Sequence, residues 1–280
     1  MGKTLVQLAQ EILGPGAAEA VSDLGLGAAV LLRRSAPSAL EGTLYRPLLC
    51  LILQGAKDVT SGAVSVHCPV GRAIVVSHDL PVLSRITEAS PDAPYIAFVL
   101  PLDLGMLREV YSQISDLPEA PGIADSGTPG AALAAHPADP ELSNAVARFL
   151  ALVRVGRGIE VLGPILLREI HARLLLSPQG AMLRRFLRRD DPSNQLARAI
   201  ASIRTSIADP LSVAALAAHA GMSKSSFHAH FKAVTGLTPG QYQKDIRLLE
   251  ARRLITESDA AISSVAYDVG YESPAQFSRD

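Results

Sequence analysis

The chain has 280 residues, 48% of them apolar, and a formal net charge of −1 at pH 7. That length and apolar content suffice for two domains with their own cores, while the charge excludes a protein that is basic over its whole surface. No apolar run reaches the ~20 residues of a membrane span and no basic-then-apolar leader opens the sequence, so we expect a protein of the reduced cytoplasm. The two cysteines, Cys50 and Cys68, are too few for a disulfide framework.

The first half of the chain carries the pattern of an antiparallel sheet. Between Tyr45 and Leu100, short apolar runs such as LLCLILQG and RAIVVSHD are closed by Gly, Pro, Asp or Ser. They predict successive strands of a small sheet pair or barrel, whose interior can hold one small ligand on a few polar anchors. The candidate anchors are Arg46, Cys50, Gln54, Lys57, His67, His78 and Arg85.

Other interpretations of these residues stay open. Each charged or polar anchor also fits a surface charge or a strand residue that finds its partners within the protein, and Cys50 also fits a small core residue. Alternatively, Cys50 or Cys68 is a thiol that senses electrophiles such as reactive aldehydes. The pair Arg33-Arg34 is a further candidate, for a phosphate-bearing effector such as a cyclic dinucleotide, because guanidinium forks match phosphate oxygens.

A segment rich in Pro, Gly and Ala, Pro118–Pro140, follows the strands and predicts a surface excursion or hinge. Helices are expected after it, near Glu141–Val153, Pro164–Leu176 and Gly180–Arg188. The second of them has apolar residues at helical spacing, so part of its face should pack on the predicted strands. Those residues are Ile165, Leu166, Ile170 and Leu174.

The pattern of a helix-turn-helix begins at Leu211. An apolar helix with Ser212 as its N-cap leads to Gly221, whose freedom to adopt positive φ suits a sharp turn. A second helix follows, in which Phe227 and Phe231 are four residues apart and therefore share a buried face. The outward residues are small, polar or basic and are the candidates for DNA contact. They are Lys224, Ser225, Ser226, His228, Ala229 and Lys232.

The end of the chain repeats this design. The residues expected to form the buried stripe are Ile262, Val265, Ala266 and Val269. Gly270 marks the turn, and Phe277 is expected to point inward from the last helix. Its candidate DNA-contacting residues are Ser273, Ala275, Gln276 and Arg279.

One long helix, Gln241–Ile255, is expected to separate the two units, so that their second helices reach successive major grooves ~34 Å apart. Positive charge is expected to gather locally here, since the chain as a whole is near neutral. The residues concerned are Lys224, Lys232, Lys244, Arg247, Arg252 and Arg253.

These motifs resemble a known family. The stretch GMSKSSFHAHFKAVTGLTPGQYQKDIRLLEARRLI, followed by VAYDVGYESPAQFSRD, is similar to the DNA-binding domain of AraC/XylS bacterial transcription regulators. The stretches LYRPLLCLILQGAKDV, SHDLPVLSRITEASPDAPYIAFVLPLD and GPILLREIHARLLLSPQGAMLRR resemble the N-terminal domain of one AraC subgroup.

The resemblance implies an α+β protein, with an N-terminal cupin-like antiparallel β-barrel plus helices and a C-terminal all-α tandem helix-turn-helix domain. Residues 1–190 would form the effector-sensing and dimerisation domain with its coupling helices, and residues 191–280 the DNA-binding domain. In the family the last recognition helix runs on past the position of Arg279, so the second unit is expected to be truncated in this sequence.

The resemblance also implies a function: a cytoplasmic, sequence-specific DNA-binding transcription regulator that responds to a small-molecule effector. Its expected partners are promoter DNA, RNA polymerase, the effector and a second copy of the chain. The helices before residue 190 would pair the two copies. The alternative is that these helices form a purely intramolecular layer.

Two rival functions are a cupin-type enzyme with a helical appendage and a DNA-architectural protein without an effector. A metal-dependent cupin needs several histidines with a carboxylate on neighbouring strands, whereas the strand region offers His67 and His78 without a His-x-His pair. No Gly-x-Ser-x-Gly motif is present, and His228 and His230 point to different helix faces. We therefore expect no metal, no cofactor and no catalytic residue.

Overall fold

The computed structural model describes residues 3–15, 18–114, 130–258 and 260–280, apart from the side chain of Gln179. The strands are β1 (Glu19–Asp23), β2 (Val30–Arg34), β3 (Glu41–Tyr45), β4 (Leu48–Gln54), β5 (Ala56–Ser61), β6 (Val64–Pro69), β7 (Arg72–Val76), β8 (Leu80–Glu88), β9 (Tyr95–Pro101) and β10 (Leu133–Pro137). The helices are α1 (Leu5–Leu13), α2 (Leu104–Ile114), α3 (Pro140–Val155), α4 (Ile159–Leu176), α5 (Ala181–Leu187), α6 (Pro192–Thr205), α7 (Val213–His219), α8 (Lys224–Thr235), α9 (Pro239–Glu257), α10 (Ile262–Asp268) and α11 (Pro274–Arg279).

The strands form two antiparallel sheets. One has six strands in the order β1-β2-β9-β4-β7-β10, and the other has four in the order β3-β8-β5-β6. The α+β class is confirmed, with antiparallel sheets before a helical C-terminal part. The sheets are open, and they do not join into one closed barrel.

The predicted excursion Pro118–Pro140 was wrong over its last part. Its residues 118–129 lie outside the described ranges, but Leu133–Pro137 form β10, in which Leu133 pairs with Val76 and Ala135 with Ile74 of β7. The composition of Leu133–Pro137 does not indicate a strand. The segment is extended because its backbone groups hydrogen bond to β7, which lies far away in the sequence.

Both faces of the six-stranded sheet are covered. One face packs on α1 to α5, where Phe98 meets Phe149 with ring centroids 6.0 Å apart. The other faces the four-stranded sheet and buries Ile52 and Ile74. Double coverage explains why β4 reads as an unbroken apolar run, LLCLILQ, rather than as an alternation.

The helices begin and end close to the expected positions. Asp139 caps α3, and Gly156 ends it in the left-handed region at φ +72°. The helix α4 begins five residues before Pro164, which lies inside it. The sequence suggested a start at Pro164 because proline favours the first turn of a helix.

The core between the sheets continues into the C-terminal helices. Leu196 of α6, Phe231 of α8 and Tyr242 of α9 belong to the same buried cluster as Val82 of β8. The second helix-turn-helix instead has its own small core of Ala251, Val265, Ala266, Val269 and Tyr271. The prediction that Ile262 also belongs to the buried stripe was wrong: it is the first residue of α10, lies outside this core and is 58% exposed.

Candidate nucleic-acid interface

The first helix-turn-helix consists of α7 and α8. The Ser212 hydroxyl accepts from the Ala215 amide at 3.3 Å and the Ser223 hydroxyl from the Ser226 amide at 3.2 Å, so each helix begins at a serine cap. Between them, Gly221 has φ +65° and open space around it. The turn therefore needs glycine for its backbone conformation rather than for a close contact.

Aromatic packing fixes the orientation of α8. Phe227 and Phe231 are fully buried with ring centroids 5.5 Å apart, and Phe231 meets Tyr242 of α9 edge to face, also at 5.5 Å. Because this packing holds one face of α8 against α6 and α9, the opposite face is presented to solvent. On that face Lys224, Ser225, His228, Ala229 and Lys232 are exposed and Ser226 is half-buried.

The second unit repeats this arrangement on α10 and α11. Tyr271 packs edge to face on Phe277 at 5.2 Å. The turn residue Gly270 has φ +88°, and a Cβ there would lie 2.3 Å from the Ala208 carbonyl oxygen. Glycine is therefore required at this position both for the backbone conformation and for the close contact. On α11, Ala275, Gln276 and Arg279 are exposed, while the cap Ser273 and Phe277 are half-buried.

Several basic residues of the long helix α9 are engaged within the protein. The Arg247 guanidinium donates to the carbonyls of Ile207, Ala208 and Asp209 at 2.7 to 3.1 Å. Lys244 pairs with Asp280 at 2.7 Å.

The other two arginines of α9 are also bonded. Arg253 pairs with Glu250 and Glu257, and Arg252 donates to the Gly42 carbonyl at 3.1 Å. Of the six basic residues expected to supply the local positive charge, only Lys224 and Lys232 therefore have neither an ion pair nor a side-chain hydrogen bond within the described part of the chain. Arg279 of α11 adds a third exposed positive charge.

The predicted effector anchors do not converge on one pocket. His67 is exposed, with Nδ1 2.7 Å from Asp58, and Gln54 donates to the Pro94 carbonyl at 2.9 Å. His78 is buried, and its Nε2 contacts the Ser193 carbonyl at 2.9 Å. Arg46 is exposed at the end of β3.

Buried side chains of both sheets, among them Ile52, Val59 and Val82, form one cluster between the sheets. The Lys57 ammonium donates to the Tyr45 hydroxyl at 2.6 Å there. Arg85, a further predicted anchor, binds Asp58 at 3.1 Å on the outside of the sheet.

Both cysteines lie in this interior. Burial raises the pKa of the Cys50 thiol, and burial followed by the neighbouring Cys50 raises that of Cys68 to about 12. A reactive thiolate needs a lowered pKa and exposure, so the structure disfavours the thiol-sensor alternative.

The arginine pair is divided between two environments. Arg33 is buried and donates to the Gly14 carbonyl at 2.9 Å, whereas Arg34 pairs with Glu19 at 3.5 Å. The two side chains therefore do not form a joint phosphate fork.

A groove that the sequence did not indicate runs between α9 and the edge of the four-stranded sheet. It has an apolar part of about 380 Å³ with Val82, Leu83 and Leu249, and a wider part of about 820 Å³ that includes Arg46. Arg252 lines both parts. Sequence reasoning missed this groove because its walls come from segments about 200 residues apart, as the Arg252 to Gly42 hydrogen bond shows with a separation of 210.

The described ranges contain neither a metal-type cluster of side chains nor a membrane-spanning helix. Within the described ranges, no three His, Cys, Asp or Glu side chains are grouped as a metal site would require. None of the helices described there combines the length and apolar character needed to cross a bilayer.

Comparison with known proteins gave matches over both halves. Residues 28–182 match the N-terminus of AraC-type transcriptional regulators, and residues 216–280 match a helix-turn-helix domain family. The HTH-type transcriptional activator RhaS of Escherichia coli is 30% identical over 89 residues, which are 32% of this chain and 32% of RhaS. The chain thus matches about a third of the length of such curated relatives.

Solved structures of ToxT from Vibrio cholerae share the fold. ToxT bound to (E)-4-(8-methylnaphthalen-1-yl)but-3-enoic acid aligns with a TM-score of 0.56 and 14% identity, over 89% of this chain and 91% of ToxT. ToxT bound to an unsaturated fatty acid aligns with a TM-score of 0.55 and 10% identity, over 95% of this chain and 91% of ToxT.

Proposed function

Because the chain belongs to the AraC/XylS family of transcription regulators, we propose that it binds promoter DNA in a sequence-specific manner through α8 and α11. The observation that carries this proposal is the pair of helix-turn-helix units, each with a buried aromatic face and an exposed face of small, polar and basic residues. The helix α9 separates the two units and sets the distance between them.

The exposed residues divide by chemistry into two groups. Lys224, Lys232 and Arg279 would bind phosphates, together with the hydroxyls of Ser226 and Ser273 at the helix starts. The remaining residues would lie against base edges in the major groove, where polar side chains hydrogen bond and alanine permits close approach or contact with a thymine methyl group. These are Ser225, His228, Ala229, Ala275 and Gln276.

We assign residues 1–190 to sensing and dimerisation and residues 191–280 to DNA binding. A cytoplasmic regulator of this kind recruits or excludes RNA polymerase. Pairing of two copies is supported by Val161, Leu162 and Ile165 on α4, which are large apolar side chains left 48–69% exposed. Membership of a regulator family favours sensing over catalysis for the sheet half.

For the effector we propose an organic anion with an apolar body, bound in the groove between α9 and the sheet. Arg46 belongs to the sensing half and Arg252 to the DNA-binding half, so an anionic head between them would bridge the two. The ligands of the ToxT structures are a fatty acid and an aryl-substituted butenoic acid, both carboxylic acids with apolar bodies.

The DNA-binding proposal is tested by fluorescence anisotropy with the protein as its gene encodes it and labelled DNA from upstream of that gene. We expect tighter binding to this DNA than to random duplex, with an affinity that falls steeply as salt rises because phosphate contacts release counterions. Lys224→Ala should weaken binding to the upstream DNA and to random duplex. Lys3→Ala, which replaces an exposed lysine on the sheet half, should leave both affinities unchanged. Equal affinity for upstream and random DNA at every salt concentration contradicts the proposal.

The effector proposal is tested by thermal unfolding with oleate and with its uncharged methyl ester. A ligand that binds the native state raises the Tm, and we expect oleate to do so and the ester to do so much less. Arg46→Gln should reduce the shift, while Arg157→Gln, an exposed arginine outside the groove, should leave it unchanged. An oleate shift that Arg46→Gln does not alter contradicts the groove as the site.

A further inference from the structure

The loop between α6 and α7 contacts both helix-turn-helix units. Its residues Ile207–Asp209 lead into α7 of the first unit. A Cβ on Gly270, the turn glycine of the second unit, would lie 2.3 Å from the Ala208 carbonyl oxygen and 2.6 Å from the Ala208 Cα. The backbone that enters the first unit is therefore in direct contact with the turn of the second.

Two side chains of α9 bind this loop. The Gln243 amide donates to the carbonyls of Ile207 and Asp209 at 3.1 and 2.9 Å, in addition to the three hydrogen bonds that Arg247 donates to the loop. Gln243 is buried and Arg247 is half-buried. Because the two residues are four apart on one helix, their side chains are neighbours and attach the loop to α9 together.

Arg247 also contacts the second unit. Its guanidinium carbon lies 5.9 Å from the centroid of the Tyr271 ring, within the range of a cation–π interaction. Tyr271 packs on Phe277 of α11. One side chain of the linking helix therefore touches both the loop that enters the first unit and an aromatic residue that supports the second recognition helix.

The two units have separate cores. Among the described residues, the buried cluster that contains Phe227 and Phe231 shares no member with the one that contains Val265 and Val269. A common hydrophobic core therefore does not fix the orientation of one unit relative to the other. That orientation depends on α9, whose residues enter both clusters, and on the loop that α9 binds.

We propose that Arg247 is a positioning residue for DNA recognition, which sets the orientation of the second unit relative to the first and thereby the operator spacing that the protein accepts. This inference rests on the proposed DNA-binding function. One base pair added between two contacted stretches shifts them by about 3.4 Å and rotates them by about 35° relative to each other. Two units held by Arg247 cannot follow this change, whereas two units released from the loop can.

The test is fluorescence anisotropy with three duplexes of the upstream DNA: the natural sequence, one with a base pair inserted between the two contacted stretches, and one with a base pair removed there. For the unchanged protein, either alteration should lower the affinity by about tenfold or more, because the base contacts of one unit are then lost. For Arg247→Ala, the affinity at the natural spacing should be lower, and the three affinities should agree within about threefold.

Two further arginine variants separate positioning from charge. Arg253 lies on the same helix but pairs with Glu250 and Glu257 of α9 itself, so Arg253→Ala should retain the full dependence on spacing. Arg247→Lys keeps the positive charge but lacks the planar fork that serves several carbonyls at once, so it should lose part of that dependence. An arginine that acted on DNA phosphates by its charge would give the opposite result, with Arg247→Lys equal to the unchanged protein.

The ratio of affinities between spacings distinguishes positioning from folding. A substitution that only destabilises the protein lowers the affinity for all three duplexes by the same factor and leaves the ratio unaltered. Should Arg247→Ala not fold, Arg247→Lys carries the same comparison.

The inference is overturned if the Arg247 variants discriminate between spacings as strongly as the unchanged protein, or if the unchanged protein itself tolerates all three spacings. Failure of the unchanged protein to prefer upstream DNA over random duplex is a different result, which contradicts the proposed function itself.

Discussion

A Cβ on Gly62 would lie 2.1 Å from the carbonyl oxygen of Gly236, so the turn between β5 and β6 meets the end of α8 backbone to backbone. The Ala63 amide donates to that same carbonyl at 3.3 Å, and the Ser61 hydroxyl donates to the Thr235 carbonyl at 3.1 Å. The second helix of the first helix-turn-helix unit is thereby joined directly to the sheet half.

Replacement of Gly62 by alanine should force the turn between β5 and β6 away from the end of α8. Gly62 and Gly71 both have positive φ, +54° and +80°, but a Cβ on Gly71 would meet nothing within 4 Å. Gly71→Ala should therefore cost about 1–2 kcal/mol of unfolding free energy for backbone strain alone, and Gly62→Ala clearly more, because α8 must also move away. Chemical denaturation measures both variants, and equal losses would show that the contact does not contribute.

Substitutions on the two faces of α8 should have different effects. Phe231→Ala should cost ~3–5 kcal/mol through lost burial and the cavity left behind. Ser225→Ala and His228→Ala should leave the stability nearly unchanged and alter DNA sequence preference, because both side chains are exposed. Unfolding curves and a binding screen over operator variants check this. A similar fall in Tm for all three would refute the assignment of faces.

The stability of the protein should fall as the pH is lowered from 7 towards 5. Burial lowers the pKa of His78 below its usual value near 6.5 despite the nearby Asp79 and Asp191, so the folded protein resists a proton that the unfolded chain accepts. Above the usual value both states are neutral and the group has no effect. His171, whose pKa burial also lowers, should act in the same direction.

The matched comparison uses His78→Gln and His136→Gln, the latter at an exposed position on β10. As the pH is lowered from 7 to 5, the Tm of the His78→Gln variant should fall less steeply than the Tm of the unchanged protein. This comparison of slopes does not depend on the Tm that the variant has at pH 7. His136→Gln should retain the full slope. If all three curves were parallel, His78 would not be a source of the pH dependence.

The helix-turn-helix units could be predicted because their signals are local. Spacing of four residues between Phe227 and Phe231 decides which face of α8 is buried, and serine caps and a turn glycine mark the helix ends. The same local rules cannot show that the Arg247 guanidinium donates hydrogen bonds to three backbone carbonyls, because these carbonyls belong to the loop after α6. Counting it among the available charges overstated the basic surface.

The sheet half was predicted correctly as antiparallel β-structure, but the positions of its individual side chains were not. The spacing of residues along a strand shows which side chains share a face, but not which face is buried between the sheets. His67 was therefore predicted to face the interior, although it lies on the outside beside Asp58. The strand β10 depends on its pairing with β7, and the groove depends on contact between Arg252 and Gly42. Pairings of this kind between distant segments are absent from any local pattern.

The measurement that tests the central claim most directly is a hydroxyl-radical footprint of the DNA upstream of the gene. Two recognition helices separated by α9 should protect two short stretches on one side of the duplex, with centres about 10–10.5 base pairs apart. Gln276→Ala on α11 should weaken one stretch and His228→Ala on α8 the other. A single protected stretch that both substitutions affect equally, or no protection where the protein is bound, would contradict the account.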